Sequence, residues 1–295
     1  MIKREQESRA FTDKVEHQAY NTAIEAAIKA SEHVLKYWPN PSNPHFDRNL
    51  VMEIFDKSEG VGNYATIADI ESERIILNSL QQHPIFRNHH IIAEESDEIA
   101  GNSEWQWVID PIDGTPPFRN GLPEFGVMIG LLHKRVPTVG VIAMPTEKKL
   151  VAARRNHGVQ LLSFEGKVLT NLNQLKPDQS ADLAKSLVAY DLGYEQRGRQ
   201  LEGKIAKLAD KVGYPVCYGS VAASIYRLSL GTISGYLHER ATTFDIGAAS
   251  AIVPELGGII SDFEGKPIDW SAKQHPFLVA RNTQIHSQLL KILNS

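Results

Sequence analysis

Two segments in the first third of the chain have the apolar spacing of amphipathic helices. Between Thr12 and Trp38, apolar residues recur every three or four positions, the period of an α-helix with one face packed against a core. The segment ends before P-N-P-S-N-P, because each proline disfavours the helical conformation of the residue before it. A second such segment runs from Thr66 to Leu80. The pattern therefore predicts two long helices near the start of the chain.

From His90 onward the apolar residues gather into short runs bounded by glycine, proline and charged residues, and such runs indicate β-strands. Several connections between them are too short for a crossover helix, so we expect one largely antiparallel sheet. After Leu187 the pattern alternates strand and helix, up to a closing helix near Leu293. That alternation is typical of an α/β arrangement.

The chain divides into two halves of different pattern. Its 295 residues allow two cores, and we predict an N-terminal α+β domain over residues 1–150 and a C-terminal α/β domain over residues 151–295. The polar segment 171–182 has the composition of a link between the halves. From the sequence, the junction can fall anywhere between Pro145 and Asp182.

Composition narrows the classes of function. The chain is 42% hydrophobic and 22% charged, as in ordinary globular proteins, and its formal net charge of −4 gives no global reason to bind nucleic acid. No stretch approaches the ~18 uninterrupted apolar residues of a membrane helix, and the charged start is unlike a secretory signal. We therefore expect a cytoplasmic protein that binds neither nucleic acid nor membrane. The single cysteine, Cys217, lies in an apolar and aromatic run and is expected to be buried.

The most informative stretch is W-V-I-D-P-I-D-G-T-P-P-F, residues 107–118. An apolar strand delivers Asp110 and Asp113 at its end, and two buried carboxylates are costly unless a cation or another partner compensates their charge. Hard divalent cations prefer such oxygen ligands. The prolines that follow suit the first turn of a helix, so the amides of Gly114 and Thr115 would form an anion-binding corner.

Asp, Pro and Gly are also the commonest turn residues, so D-P-I-D-G-T by itself is consistent with a simple turn. Two other stretches favour a functional site. I-I-A-E-E-S is a second apolar strand that ends in acids, with Glu94 the first of them, and A-T-T-F-D-I-G-A-A places Asp245 at the start of a helix rich in small residues. An aspartate at that position is also a common helix cap.

In their order along the chain, these motifs resemble those of the inositol monophosphatase family, in the superfamily that includes the fructose-1,6-bisphosphatases. The resemblance rests on E-E-S, D-P-I-D-G-T-x-x-F and F-D-x-x-A-A followed by E-L-G-G. The upstream T-I-A-D-x-x-x-E and the pair Gly219-Ser220 extend it over about residues 66–258. It implies an α+β fold, a layered α/β/α/β/α sandwich, with the active site in the cleft between the two halves.

The resemblance implies a hydrolytic site with two or three Mg²⁺ ions, for which Mn²⁺ can substitute. Four carboxylates and one main-chain carbonyl are the implied ligands, from Glu94, Asp110, Ile112, Asp113 and Asp245. Asp69 and Thr115 match the family pair that orients and activates the attacking water. From the residues alone, Thr66 and Asp69 also have the spacing of a helix capping box, and the two roles are compatible.

The resemblance also implies the residues that contact phosphate or substrate, which are Asp113, Gly114, Thr115, Gly219, Ser220 and His238. His238 stands where inositol-selective members carry a glutamate, Val221 where they carry a smaller residue, and Phe244 where tryptophan is usual. Because Pro116 and Pro117 lack an N–H, only Gly114 and Thr115 can donate main-chain hydrogen bonds to phosphate there. The alternative for His238 is a structural histidine at a strand end.

Residues and resemblance together predict a Mg²⁺-dependent phosphatase that hydrolyses a small phosphate monoester, most simply inositol monophosphate or a related sugar or polyol phosphate. The alternatives within the superfamily are histidinol phosphate, fructose-1,6-bisphosphate and 3'-phosphoadenosine 5'-phosphate. An alternative of another class is a non-catalytic protein that binds a phosphorylated metabolite or a partner protein. The resemblance also implies a homodimer.

Overall fold

The computed structural model describes residues 2–40, 54–56, 64–165, 169–175, 182–192 and 199–295. Its first helix, α1, spans Ile2–Val34. The apolar spacing predicts a start near Thr12, and the helix begins earlier because the preceding segment is rich in the good helix formers Lys, Arg, Glu and Gln. The proline-rich segment expected after the helix lies largely outside the described residues.

Six further α-helices follow in the described part of the chain. They are α2 (Ile67–Gln81), α3 (Thr115–Arg119), α4 (Arg199–Ala209), α5 (Val221–Ser229), α6 (Thr243–Glu255) and α7 (Thr283–Leu293). Caps explain several of these starts. The Ser220 side chain accepts a hydrogen bond from the first turn of α5, and Thr66 and Thr242 form capping boxes with the aspartates three residues later at the starts of α2 and α6. Among the described helices, none has both the length and the apolar character needed to cross a bilayer.

The larger sheet has seven strands in chain order. A separate two-stranded ribbon, β1 (Ile54–Asp56) with β2 (Tyr64–Thr66), precedes it. The sheet consists of β3 (His90–Ala93), β4 (Trp105–Asp113), β5 (Gly126–His133), β6 (Val136–Met144), β7 (Lys149–Arg154), β8 (Val159–Ser163) and β9 (Thr170–Leu175). Only the β3–β4 pair is parallel among these described strands. The expectation of a largely antiparallel sheet is confirmed.

This sheet continues beyond residue 150, where the sequence predicts a domain boundary. β8 and β9 lie wholly after that position, so the predicted boundary does not coincide with the division between the sheets. The first residues of the polar segment 171–182 form the end of β9, and whether the segment links two halves stays a prediction. β9 is an edge strand whose polar residues lack a clear apolar alternation. That residues 1–150 and 151–295 are separate domains stays a prediction.

The second sheet has five strands in the order β11-β10-β12-β14-β13. They are β10 (Leu187–Asp191), β11 (Tyr214–Val216), β12 (Gly235–Thr242), β13 (Ile259–Ser261) and β14 (Gln274–Ala280). β10 is parallel to both β11 and β12, whereas β14 is antiparallel to its two neighbours. Ligands commonly bind beyond the carboxyl ends of parallel strands. Asp191 ends β10 there, in register with His238 of β12.

The elements stack in five layers. α1 and α2 cover one face of the seven-stranded sheet, α5 and α6 lie between the two sheets, and α4 and α7 cover the outer face of the five-stranded sheet. Large clusters of buried apolar side chains fill the spaces between these layers. This arrangement is the expected α/β/α/β/α sandwich of the α+β class.

Gly247 of α6 allows this helix to approach the seven-stranded sheet closely. A Cβ added to Gly247 would lie 1.9 Å from Cγ2 of Val108, closer than two carbon atoms can approach. We expect Gly247→Ala to lower the free energy of unfolding by about 1–3 kcal/mol, the usual cost of overpacking a core. Thermal unfolding followed by circular dichroism measures this change.

The matched control is Gly203→Ala in α4, where an added Cβ would meet nothing within 4 Å. There the higher helix propensity of alanine is expected to stabilise the protein by about 0.5–1 kcal/mol. If the two substitutions changed stability equally, the close packing of α6 on the sheet would be wrong.

Candidate active site

The predicted acidic residues meet in one cleft. Asp110 and Asp113 come from the end of β4, Asp245 comes from the first turn of α6, and Glu94 directly follows β3. Carboxylate oxygens of the three aspartates lie within 4.8 Å of one another. Glu94 lines the same cleft. Acids that are far apart in the chain therefore share one pocket.

The end of β4 is irregular where it carries these acids. The antiparallel register between β4 and β5 shifts between Asp110 and Asp113. Pro111 lies in this interval and has no N–H to donate to the neighbouring strand. The amide of Ile112 donates to Oδ1 of Asp110 at 3.0 Å, and the hydroxyl of Ser72 donates to the carbonyl of Pro111 at 3.1 Å. The D-P-I-D stretch is therefore both a turn and part of an acidic site.

The first turn of α5 holds the carboxylate of Asp113. The amide of Val221 donates to Oδ1 at 3.1 Å and the amide of Ala222 donates to Oδ2 at 2.7 Å, while the hydroxyl of Ser220 also donates to Oδ2. Amides in a first helical turn lack acceptors within the helix, and the helix dipole favours a negative group there. The structure thus places Ser220, an expected phosphate contact, against a predicted metal ligand.

Gly114 joins β4 to α3 in a conformation that disfavours a side chain. Its φ is +86°, and an added Cβ would lie 2.8 Å from the carbonyl oxygen of Glu124 and 2.9 Å from Cβ of Ser220. α3 begins at Thr115 with prolines in its first turn, as expected. Gly114 and Thr115 both line the cleft.

Asp69 has two sets of partners, one on each carboxylate oxygen. Its Oδ2 accepts hydrogen bonds from the amide of Thr66, at 2.7 Å, and from the Thr66 hydroxyl, so the predicted capping box of α2 is present. Its Oδ1 accepts a long hydrogen bond from the hydroxyl of Thr115, at 3.4 Å. Oγ1 of Thr115 also lies 3.2 Å from the carbonyl oxygen of Ile112. Capping and contact with Thr115 are therefore compatible in one buried side chain.

α6 begins with the same arrangement. The amide of Thr242 donates to Oδ2 of Asp245 at 2.6 Å, and the two residues form a capping box. The sequence leaves open whether Asp245 is itself the helix cap. The structure places Thr242 at the cap and Asp245 three residues later, where the aspartate completes the box and also lines the cleft.

The cleft concentrates negative charge. Burial raises the pKa of Asp110, and the neighbouring Glu94, Asp113 and Asp245 raise it further. Burial also raises the pKa of Asp113 to about 7 and that of Asp245 to about 8. No Lys or Arg is among the described residues that line the cleft, so no side-chain cation there offsets these charges. A hard divalent cation fits this set of oxygen donors.

The five-stranded sheet contributes an opposite wall with a neutral histidine. His238 is only 9% exposed, and burial lowers its pKa to about 4, so the ring is uncharged near neutral pH. Its Nδ1 accepts a hydrogen bond from the amide of Arg240 at 3.1 Å. In a neutral ring the proton then lies on Nε2, which makes that atom a donor.

Cys217 was expected to be buried, and this prediction is wrong. The residue is exposed and lines the cleft, and its Sγ donates to Oδ1 of Asp191 at 3.2 Å. Its apolar sequence neighbours are misleading because β11 ends at Val216, so Cys217 follows the strand. Desolvation and the Asp191 carboxylate raise the pKa of the thiol to about 12, which keeps it protonated.

Sequence reasoning assigned no role in the site to two residues that support it, although Glu73 ends the motif T-I-A-D-x-x-x-E. Glu73 of α2 is buried and accepts the amide of Glu95 at 2.7 Å, immediately after the predicted ligand Glu94. Asp191 is buried at the end of β10 and lines the cleft. A signal for Asp191 existed, because L-V-A-Y-D is another apolar strand that ends in an acid.

A model of the inositol monophosphatase family matches residues 16–295. The chain belongs to this family. It is similar to the inositol-1-monophosphatase of Synechocystis sp., with 29% identity over 92% of this chain and 87% of that one. It is also similar to the Nus factor SuhB of Haemophilus influenzae, with 30% identity over 83% of this chain and 85% of that one. The solved inositol monophosphatase of Anabaena (Nostoc) sp. PCC 7120 has a TM-score of 0.76 at 25% identity, covering 94% of this chain and 96% of that one.

The family match confirms the resemblance that the ordered motifs indicated, and the solved structure confirms the fold that it implied. The family is metal-dependent and includes phosphatases, and the acidic cleft of this chain is consistent with that chemistry. The match does not identify a substrate. The roles of single residues stay predictions.

The raised carboxyl pKa values predict that the stability of this family member depends on pH when no metal is bound. In the unfolded chain Asp113 and Asp245 titrate near the ordinary pKa of ~3.9. Since their folded values are about 7 and about 8, the folded state binds more protons over the interval between. The free energy of unfolding therefore falls as the pH rises from about 4 to about 8, and most steeply below the folded pKa of Asp113.

We expect the midpoint of thermal unfolding in EDTA to fall over this range, and Mg²⁺ to raise the midpoint more at high pH than at low pH. Asp245→Asn removes one titrating group and is expected to flatten the EDTA profile. Asp210→Asn, at an exposed position directly after α4, is the control and should leave the profile unchanged. A midpoint in EDTA that does not change with pH would contradict the raised pKa values.

Proposed function

We propose that this protein is a Mg²⁺-dependent phosphatase that hydrolyses a small phosphate monoester, with inositol monophosphate or a related sugar or polyol phosphate as its substrate. One observation carries the proposal. Asp110, Asp113 and Asp245 come within 4.8 Å of one another in a cleft that also contains Thr115, which is hydrogen-bonded to Asp69. Metal-assisted hydrolysis needs metal ligands and a group that orients water in one place. The cleft volume of about 260 Å³ suits a small ester.

The ligands in the cleft fit Mg²⁺ because all of them are oxygen atoms. The ions would be held by four carboxylates and one carbonyl, from Glu94, Asp110, Ile112, Asp113 and Asp245. Soft metals prefer thiolates or clustered imidazoles, whereas Mg²⁺ and its substitute Mn²⁺ prefer this donor set. We propose two or three bound ions. When bound, they supply charge neutralisation at the phosphoryl oxygens and a water of lowered pKa.

Asp69 and Thr115 would orient the attacking water and accept its proton. The hydroxyl of Thr115 can donate its one proton to Oδ1 of Asp69, at 3.4 Å, or to the carbonyl oxygen of Ile112, at 3.2 Å, and in either case its lone pairs are available to an O–H of water. As the water attacks phosphorus and the ester P–O bond breaks, the water proton would pass to Oγ1 of Thr115 while the Thr115 proton moves to Asp69. The leaving alkoxide would take a proton from solvent water. Oδ2 of Asp69 is held by Thr66, which keeps the carboxylate from rotating away.

The phosphate would bind at the corner between β4 and α3. The amides of Gly114 and Thr115 lie at the N-terminal end of α3, and Pro116 and Pro117 have no N–H to add. The turn at Gly219-Ser220 lines the cleft as well and would contact the substrate from its other side.

The alcohol part of the substrate would meet His238. The buried, neutral ring has Nε2 as a donor, and a substrate hydroxyl oxygen can accept from it. A glutamate at this position would accept a hydroxyl proton instead. With His238, the cleft therefore has a hydrogen-bond donor where a glutamate would be an acceptor, and Val221 lines the cleft as well. These two side chains would select among polyol and sugar phosphates.

A second candidate function is a non-catalytic one, in which the protein binds a phosphorylated metabolite or a partner protein. The observation that favours it is the name of the Haemophilus influenzae relative, Nus factor SuhB, which is not the name of a phosphatase. The presence of the acidic ligands together with the Asp69–Thr115 pair supports catalysis instead.

On the same family resemblance, we propose that the protein is cytoplasmic and that it forms a homodimer.

The decisive test is Asp110→Asn, which keeps the size of the side chain and removes its charge. We expect kcat/KM for phosphate release from inositol monophosphate to fall by about a hundredfold or more, and the half-saturating Mg²⁺ concentration to rise. Asp210→Asn is the matched control, and its activity should equal that of the unmodified protein. Unchanged phosphate release by Asp110→Asn would exclude the metal mechanism.

The same measurement of phosphate release, made on several phosphate esters, identifies the substrate. The panel contains inositol monophosphate, histidinol phosphate, fructose-1,6-bisphosphate and 3'-phosphoadenosine 5'-phosphate. We expect the highest kcat/KM for the polyol monophosphate. Mg²⁺-dependent release from another member of the panel alone would keep the reaction and change the substrate, and no release from any of them would favour the non-catalytic candidate.

Two substitutions at Thr115 test the water-orienting pair. Thr115→Ala removes the hydroxyl and is expected to lower kcat by about a hundredfold, the usual contribution of positioned acid–base groups. Thr115→Ser keeps the hydroxyl and should retain most of kcat. Thr66→Ala tests the capping role separately, since loss of a cap lowers the free energy of unfolding by about 1 kcal/mol. If serine and alanine at position 115 were equally inactive, the hydroxyl would not be the relevant group.

A further inference from the structure

Asp191 is a buried acid that the proposed reaction does not use. It ends β10, is 7% exposed, and accepts hydrogen bonds from three neutral donors. Its Oδ1 accepts the amide of Gly219 at 3.1 Å and the thiol of Cys217 at 3.2 Å. Its Oδ2 accepts the hydroxyl of Tyr236, from the neighbouring strand β12, at 3.0 Å. One carboxylate therefore ties the segment after β11 to the five-stranded sheet.

The segment that Asp191 holds leads directly into the group that holds Asp113. Gly219 turns the chain with a φ of +68°, and the next residues, Ser220, Val221 and Ala222, donate three hydrogen bonds to the Asp113 carboxylate. A shift of the turn would therefore displace donors on both oxygens of Asp113.

The turn also packs closely against the proposed phosphate corner. A Cβ added to Gly219 would lie 3.2 Å from Cγ of Pro117, and one added to Gly114 would lie 2.9 Å from Cβ of Ser220. The turn therefore has little room to move towards α3. Its position is set by the contact with Gly114 and Pro117 on one side and by the hydrogen bonds to Asp191 on the other.

We propose that Asp191 is a positioning residue, which fixes the turn from Cys217 to Ser220 and, through it, the Asp113 carboxylate for metal binding. The inference rests on the proposed function, because it assigns Asp113 to a metal. What Asp191 supplies is hydrogen-bond acceptors in a fixed place. An asparagine can accept from Gly219 and Cys217 through Oδ1 and donate from Nδ2 to the oxygen of Tyr236, so it preserves the geometry, whereas an alanine preserves none of it.

The test compares Asp191→Ala and Asp191→Asn by two readouts that need no catalysis. The first is the Kd for Mn²⁺, measured by electron paramagnetic resonance. We expect Asp191→Ala to weaken it by about tenfold or more, the usual effect of losing a group that orients a metal ligand, and Asp191→Asn to stay within about twofold. The second is hydrogen exchange of the amides of residues 219–222 in EDTA, which should speed up in Asp191→Ala only.

A milder pair of variants applies if Asp191→Ala does not fold. Tyr236→Phe removes one donor to Asp191, and Tyr226→Phe is its matched control, because Tyr226 donates to the carboxylate of Glu147 at the same distance of 3.0 Å. We expect Tyr236→Phe to weaken Mn²⁺ binding and to speed exchange at residues 219–222 more than Tyr226→Phe does. Equal effects of the two would overturn the proposal.

Other outcomes of the Mn²⁺-binding and hydrogen-exchange measurements also support or overturn the proposal. Unchanged Mn²⁺ affinity and exchange in Asp191→Ala would overturn the positioning role, and equal losses in Asp191→Asn and Asp191→Ala would show that charge rather than hydrogen-bond geometry matters. If the unmodified protein bound Mn²⁺ but released no phosphate, the proposed reaction would fail while the inference stood. If it bound no Mn²⁺, the metal assignment would fail, and the inference with it.

Discussion

Repulsion among buried carboxylates is the constraint on which the centre of this protein depends. Asp110, Asp113 and Asp245 are brought within 4.8 Å of one another, in a cleft whose described lining includes no Lys or Arg. Burial alone raises their pKa values, and their mutual proximity raises those of Asp110 and Asp245 further. A fold tolerates such a cluster when the rest of the structure is stable enough to hold it, and a divalent cation then binds because it relieves the repulsion. The repulsion that destabilises the metal-free cleft is therefore also the reason that the cleft would bind a divalent cation.

The protein limits this cost by placing helix N-termini against the acids. Asp69 and Asp245 each complete a capping box, at the start of α2 and α6, and Asp113 accepts the free amides of α5. In all three cases, first-turn amides that lack acceptors within the helix lie beside a carboxylate that needs donors. The same contacts fix the orientation of each side chain, so the binding groups are in place before a ligand arrives.

The opposite wall of the cleft has a different character. His238 is neutral, the thiol of Cys217 is protonated, and the donors to Asp191 are uncharged. Charge is therefore concentrated where the phosphate and metal ions are proposed to bind, and directional hydrogen bonds predominate where the alcohol would bind. The parallel pairing of β10 with β12 places Asp191 and His238 in register at that wall. Because hydrogen bonds depend strongly on geometry, this wall is where members of one family can differ in substrate.

The sequence by itself determined the local elements, the order of the acidic motifs and the family. Apolar periodicity located most helices and strands, since the burial of one face imposes it. It missed the polar edge strand β9, the start of α1 before Thr12, which has good helix formers rather than apolar periodicity, and the exposure of Cys217, which follows the end of a strand. Only the tertiary structure decided that Asp245 approaches Asp110 and Asp113, that α5 binds Asp113, and that Asp191 holds the preceding turn. These contacts join residues far apart in the chain, and packing of the layers, rather than local propensity, sets their distances.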